Sequence, residues 1–424
     1  MRSRLGALAE PNFRLLWIGQ TISAGGDGLT GVALTFAVLA ISGSATDLGL
    51  VFAAFLIPRV GFLLIGGVWA DRLPRRYVMI CSDLVRAGAQ LIVAAAIFGG
   101  SHEIWPFVLA AALSGAASAF FTPAMVGLIP QTISPDHLQD ANSLLGVSAW
   151  AARLGGPAIA GVAVAAGVVG PLFVIDAASF LVGALMLSRL TIGSVSSPAR
   201  QPFVDDFKDG WRQVTDRRWL VVSLGAFALA NLAFAGIFIL GPVMVSARQN
   251  GAAEWGVIMS IYALGGLVGA AAAMRMRPAR PLSAAFLIFL GVPSMLVLLS
   301  ASPPFAVLAA GGFIASAATV LTDTIWHTTL QQQIASEHLS RVSSVDWTVS
   351  MIMAPVGNVA VGPLASALGT SAALIVLAVV AGVPLAVVAF VPSVRAIRGR
   401  GPSSSAAEEP DLGNAVLDSE GASP

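Results

Sequence analysis

The strongest constraint on this chain is a rhythm of apolar runs. Twelve stretches, at about 15–40, 48–70, 77–98, 105–128, 142–167, 171–190, 219–245, 254–274, 282–301, 303–326, 343–367 and 371–392, are rich in Ala, Val, Leu, Ile, Gly and Phe. A helix of about 20 such residues crosses the hydrocarbon core of a bilayer. The chain is 56% hydrophobic and 11% charged, whereas a soluble domain carries roughly a quarter charged residues. Lipid must therefore be its main solvent. The expected fold is an all-α membrane protein with twelve transmembrane helices.

Charge placement predicts the orientation. With an even number of crossings both termini share a side. On that side fall Arg2, Arg4, Arg14, Arg72, Arg75, Arg76, Arg189, Arg200, Lys208, Arg212, Arg217, Arg218, Arg275, Arg277, Arg280, Arg341, Arg395, Arg398 and Arg400; the other side holds Arg248 alone. Basic loops stay in the cytosol, so both termini are expected there. Lys208 is the one lysine among 23 basic residues, a bias that fits a GC-rich bacterial genome and hence a bacterial cytoplasmic (inner) membrane. The lone cysteine, Cys81, leaves no internal disulfide or thiol-metal cluster to expect.

A repeat divides the chain. Ile133-Ser-Pro-Asp136-His137-Leu138 matches Ile334-Ala-Ser-Glu337-His338-Leu339 at an offset of 201 residues. At the same offset Asn142-Ser143 meets Ser343-Ser344, Gly156 meets Gly357 and Gly161 meets Gly362. Parallel repeats of this kind build transporters from two pseudo-symmetric halves, with the substrate path between them. The expected units are a six-helix half at 1–190, a cytosolic linker at 191–218, a second six-helix half at 219–392 and a disordered tail at 393–424. In the linker Phe203, Phe207, Trp211 and Val214 recur at helical spacing, the pattern of an amphipathic interfacial helix.

These residues carry a family resemblance. Gly67-x3-Asp71-Arg72-x2-Arg75-Arg76 resembles the loop 2–3 signature of the major facilitator superfamily, with Pro74 where that signature usually has glycine. SAGGDGL around Asp27, SDLVRA around Asp83 and Arg86, FFTPA at 120–124, LGGPAIAG around Pro157 and IDAASFL around Asp176 are similar to the drug-exporter branch that includes macrolide efflux proteins and the enterobactin exporter. The resemblance implies the major facilitator fold. It also implies that Gly67, Asp71, Arg72, Arg75, Arg76, Asp83 and Arg86 latch the two halves near the cytosolic face, with Asp346 and Arg341 as partners across the seam. Two departures stand out. Helix five has fewer glycines than the exporter signature, offering Gly146, Gly155, Gly156, Pro157 and Gly161. Helix four lacks the arginine many proton-driven antiporters carry, so coupling would use other groups.

Ionisable groups inside a membrane cost about 2.5–3.5 kcal/mol each on insertion scales and mark function. The first half holds Asp27, Arg59, Asp83, Arg86, Arg153 and Asp176; the second half has no charge deep in a helix. Gln20, Ser23, Asp27 and Thr30 form one polar stripe at i, i+3, i+7 and i+10. Asp27 is the leading candidate to exchange a proton for substrate; the competing reading is a fixed pair with Arg59 at similar depth. Arg153 stands one turn before Gly155-Gly156-Pro157. Either it holds Asp27 or a substrate anion beside a bend that seals the periplasmic side, or it is plain packing. Asp83 and Arg86 share a helix face at i, i+3. Asp176 is expected to be structural, paired with Arg153 or anchored near the surface. Candidate substrate contacts are Asp27, Trp150, Asn231, Phe234 and Tyr262, since aromatic faces suit flat or cationic molecules.

The expected function is a proton-driven exporter of hydrophobic or amphiphilic small molecules, such as a drug, antibiotic or siderophore. The alternatives are a proton-coupled importer of a metabolite and a transport-inactive receptor or scaffold, since fold alone does not choose. No phosphate-binding Gly-x4-Gly-Lys-Ser/Thr loop or nucleophile–base pair at motif spacing occurs, which disfavours an enzyme and ATP as the energy source. The expected partners are substrate, protons and the bilayer, with no cofactor, metal or nucleic acid, and the chain is expected to act as a monomer.

Overall fold

The computed structural model describes residues 6–72, 74–191 and 211–398, with side chains left out at 63–72 and at Ser336, Glu337, Ser340, Ser344 and Met351. Its frame is twelve long apolar helices. They are α1 (Pro11–Ser42), α2 (Ala45–Arg72), α3 (Arg75–Phe98), α4 (Trp105–Thr132), α5 (Leu138–Ala165), α6 (Gly170–Ser188), α7 (Arg218–Ser246), α8 (Gly251–Ala273), α9 (Pro281–Ser300), α10 (Phe305–Gln333), α11 (Ser336–Leu368) and α12 (Thr370–Phe390). Backbone groups in lipid must bond internally, which helices achieve.

Local sequence sets the ends. Pro11 opens α1, where its missing N–H is not needed. Gly43 closes it with φ +60°, a conformation glycine adopts freely, and its amide bonds Leu39 O at 2.8 Å. Gly369, at φ +84°, makes the sharp joint between α11 and α12. α9 is interrupted at Leu290, where Gly291 and Pro293 follow and proline withdraws a backbone donor.

The helices run past their apolar segments on the basic face. α1 begins at Pro11 rather than 15, α4 continues to Thr132, α5 begins at Leu138, α10 reaches Gln333 and α11 begins at Ser336. Hydropathy marks where lipid stops, while the backbone ladder can continue into the polar region. Of the linker, 211–215 is helical, with Trp211 exposed and Val214 buried; Phe203 and Phe207, and the tail beyond 398, lie outside the described residues.

The repeat occupies equivalent places. Ile133 and Ile334 both follow the fourth helix of their half in extended backbone, and both are buried. The interiors differ in chemistry. In the second half Phe227 stacks on Phe286 with centroids 5.1 Å apart and meets Trp326 edge-on at 5.0 Å. In the first half Asp83, Arg86 and Asp176 are buried between α3 and α6.

Candidate functional site

The repeated glycines bring the halves together. Gly156 of α5 lies against the backbone of Gly28 in α1, and its counterpart Gly357 of α11 lies against Leu232 in α7. One turn on, each helix crosses the seam. Gly161 meets Ala252, Ala253 and Gly256 of α8, and Gly362 meets Thr46 of α2. Gly49 of α2 also abuts Asn358, and Gly256 abuts Pro157. All these contacts fall toward the ends of α5 and α11 remote from the basic loops. Small residues let backbones approach this closely. The halves are therefore packed together on the face opposite the basic loops. Gly155, by contrast, has open space around its Cα.

Below that seal lies a cavity of about 430 Å³, within the range of small-molecule sites. α1 contributes Asp27, Gly28, Gly31, Val32 and Thr35, and α2 contributes Phe52. α5 adds Trp150, Arg153 and Pro157. The second half supplies Phe238, Trp255, Met259, Tyr262, Ala263, Ser316, Thr319 and Val320. Asp27 sits midway along α1, and its exposed side chain opens into this space. Arg153 is exposed to the same space, its guanidinium 5.7 Å from the Trp150 ring centroid. Phe238 meets Tyr262 edge-on at 5.9 Å, and the Tyr262 hydroxyl lies beside Thr319 and Ser316. The walls are thus aromatic, with one acid and one base.

Of the expected substrate contacts, Asp27, Trp150 and Tyr262 line the cavity; Asn231 and Phe234 do not. Phe234 instead packs on Phe238, 5.4 Å away, which takes the lining position one turn later. Phe52, Trp255 and Met259 had no distinguishing signal in the sequence, because aromatic and methionine residues are equally common in packing.

The structure does not pair Asp27 with Arg59. Arg59 lies over the Phe55 ring at 5.7 Å and makes no ion pair among the described residues. Asp176 does not meet Arg153 either. It is fully buried on α6, where Gln90 Nε2 donates to its Oδ2 at 2.7 Å. Asp83 and Arg86 do pair, at 2.5 Å. They lie inside the first half rather than at the seam: the Arg86 guanidinium is sandwiched between Phe121 and Phe180 at 4.2 and 4.4 Å.

On the basic face, Arg75 Nη1 donates to Gly127 O at 2.7 Å, and Arg76 Nη1 donates to Leu190 O at 2.5 Å. Both bonds stay within the first half, at carbonyls in the last turns of α4 and just past α6. Asp346 is buried and accepts from Trp326 Nε1 at 3.0 Å, within the second half. Gly67, Asp71 and Arg72 belong to α2 by backbone, but their side chains are outside the description. Nearby, Glu10 accepts from Ser134 Oγ at 2.6 Å and from its amide at 3.0 and 3.1 Å. These bonds, the hydroxyl first, hold the Glu10 carboxyl below its ordinary range.

Two six-helix halves, sealed on one face around a cavity at mid-height, define a membrane transporter of small molecules. The chain belongs to the Major Facilitator Superfamily, which it matches over residues 16–358. It is 29% identical over 402 residues to the multidrug efflux pump Tap of Mycolicibacterium fortuitum, covering 90% of this chain and 96% of that one. Among solved structures it resembles the nucleoside transporter NupG, with TM-score 0.71 and 11% identity over 92% of this chain and 98% of that one. It also resembles a bacterial homologue of the iron transporter ferroportin in an inward-facing state, with TM-score 0.67 and 17% identity over 89% of this chain and 98% of that one. Both structural likenesses speak to fold alone.

Proposed function

We propose that this transporter exports hydrophobic or amphiphilic small molecules, cationic or neutral, in exchange for protons. The observation that carries the reading is Asp27 opening into an aromatic cavity between the halves. A carboxylate there can hold a proton or face a substrate cation, but not both at once, and that exclusion is the elementary requirement of antiport. The likeness to a multidrug efflux pump over nearly the whole chain supports export. The basic loops support a cytosolic location for both termini, in a bacterial inner membrane. The seal on the opposite face then makes this arrangement open to the cytosol. Rocking the halves about the cavity would release the substrate outside. Gly67, Asp71, Arg72, Arg75 and Arg76 fit a role in holding the alternate state, and the chain works as a monomer without ATP.

Inside-out vesicles with an acid interior and a pH-quenched dye test this. A panel of cationic dyes, macrolides and siderophores is added to wild type and to Asp27→Asn. Discharge by some compound in wild type but not in Asp27→Asn is the expected result. Discharge in both removes Asp27 from the proton path. Discharge by none, with cells that accumulate a metabolite through the protein, replaces export by import.

A further inference from the structure

The geometry points to Asp176 as a second proton-carrying residue, a neutral carboxylic acid held behind Asp27. This rests on the proton-coupled reading above and extends it to a named pair.

The hydrogen bonds around Ser179 accommodate a proton on Asp176. Its hydroxyl has one hydrogen, yet Ser179 Oγ lies 2.7 Å from Asp176 O and 3.2 Å from Asp176 Oδ1. The shorter contact takes the hydroxyl hydrogen. A neutral carboxyl fits the longer one, with Asp176 Oδ1–H donating to Ser179 Oγ; an ionised one fits when the hydroxyl turns to Oδ1. Asp176 Oδ2 meanwhile accepts from Gln90 Nε2. A proton on Oδ1 satisfies every atom of this fully buried side chain.

Burial and charge carry the argument. Asp176 is fully buried and makes no ion pair among the described residues; it is faced by Gln90 and Arg86 from α3 and by Asp27 from α1. Asp83 and Asp176 thus have one cation between them. Arg86 is already engaged by Asp83 Oδ1, and Asp83 Oδ2 is buried with no hydrogen-bond partner against Gly183. A buried carboxylate without its own counter-charge takes up a proton instead.

The position suits transfer. Asp176 Oδ1 lies directly against Gly26, the neighbour of Asp27. When Asp27 has given its proton away, the O–H bond of Asp176 breaks and one forms on Asp27. The Ser179 hydroxyl turns from Asp176 O to Oδ1. With the Gln90 N–H and the Arg86 charge it then holds the new carboxylate until a proton returns.

Infrared spectroscopy of the purified full chain in vesicles at neutral pH, with no substrate, reads the acid directly through its carbonyl stretch. Asp176→Asn is expected to remove a carboxylic-acid band that Asp27→Asn leaves in place. Ser179→Ala is expected to keep that band and move it to higher frequency, since its hydrogen-bond acceptor is gone. An acid band unchanged in Asp176→Asn overturns the assignment. If Asp176→Asn does not fold, an unshifted band in Ser179→Ala overturns it equally. Because no compound is transported, failure here leaves the vesicle test of export untouched, and failure there leaves this result standing.

Discussion

Gly161→Ala is expected to shift the balance between the two faces of the transporter without unfolding it. A methyl at Gly161 would lie 2.6 Å from Ala252 O, 3.0 Å from Gly256 Cα and 3.2 Å from Ala253 Cα. All three are backbone atoms, so no side chain can turn aside. Restoring an ordinary contact of about 3.5 Å requires α8 to retreat by roughly 0.9 Å. Overpacking of this kind costs about 1–3 kcal/mol. The cost falls only on the state in which the seal is closed, whereas the roughly 1 kcal/mol gain in helix propensity from glycine to alanine applies to both states and cancels. The open-seal population should therefore rise about 5- to 140-fold relative to the closed one. Spin labels at Ala166→Cys and Asn250→Cys, both exposed on the sealed face, report the separation of α5 and α8. The background carries Cys81→Ser, because Cys81 is itself exposed. Gly155→Ala is the control, having the same propensity gain and nothing within 4 Å. Identical distance distributions for the two variants would refute the seal.

Two further outcomes concern the basic face. Arg76→Ala removes a charged donor from the carbonyl of buried Leu190 and should lower stability by about 1–3 kcal/mol, read as a fall in melting temperature in detergent; an unchanged melt would mean the bond contributes nothing. Glu10 has a folded pKa below its ordinary 4.5. Its contribution is therefore present above about pH 4.5 and is lost as the pH falls through the folded value. Glu10→Gln should melt below wild type at neutral pH and converge with it in acid; a gap constant with pH would show that the carboxylate does not act through Ser134.

What could be read along the chain was whatever depends on order and depth. Apolar runs gave twelve helices, and the 201-residue offset gave two halves. The i, i+3 spacing gave the Asp83–Arg86 pair, because a single helix fixes its own neighbours. Pairings between helices failed for a definite reason. Rise per residue gives height in the membrane, but not the direction in which a side chain points or which helix stands beside it. Asp27 and Arg59 share a height, yet Asp27 faces the cavity while Arg59 lies along its own helix over Phe55. Asp176 was matched to Arg153 by charge alone. α6 packs on α1 and α3, so Gln90 reaches it instead.

The sequence by itself determined the solvent, the number of crossings and the twofold repeat. Each is a property of local composition or of one helix with itself. Tertiary structure alone decided that Gly161 and Gly362 close one face, that Trp150, Phe238 and Tyr262 meet Asp27 around one cavity, and that Gln90 rather than Arg153 reaches the buried Asp176. Those facts depend on how helices distant in the chain are rotated and packed against one another, which no periodicity within a single segment encodes.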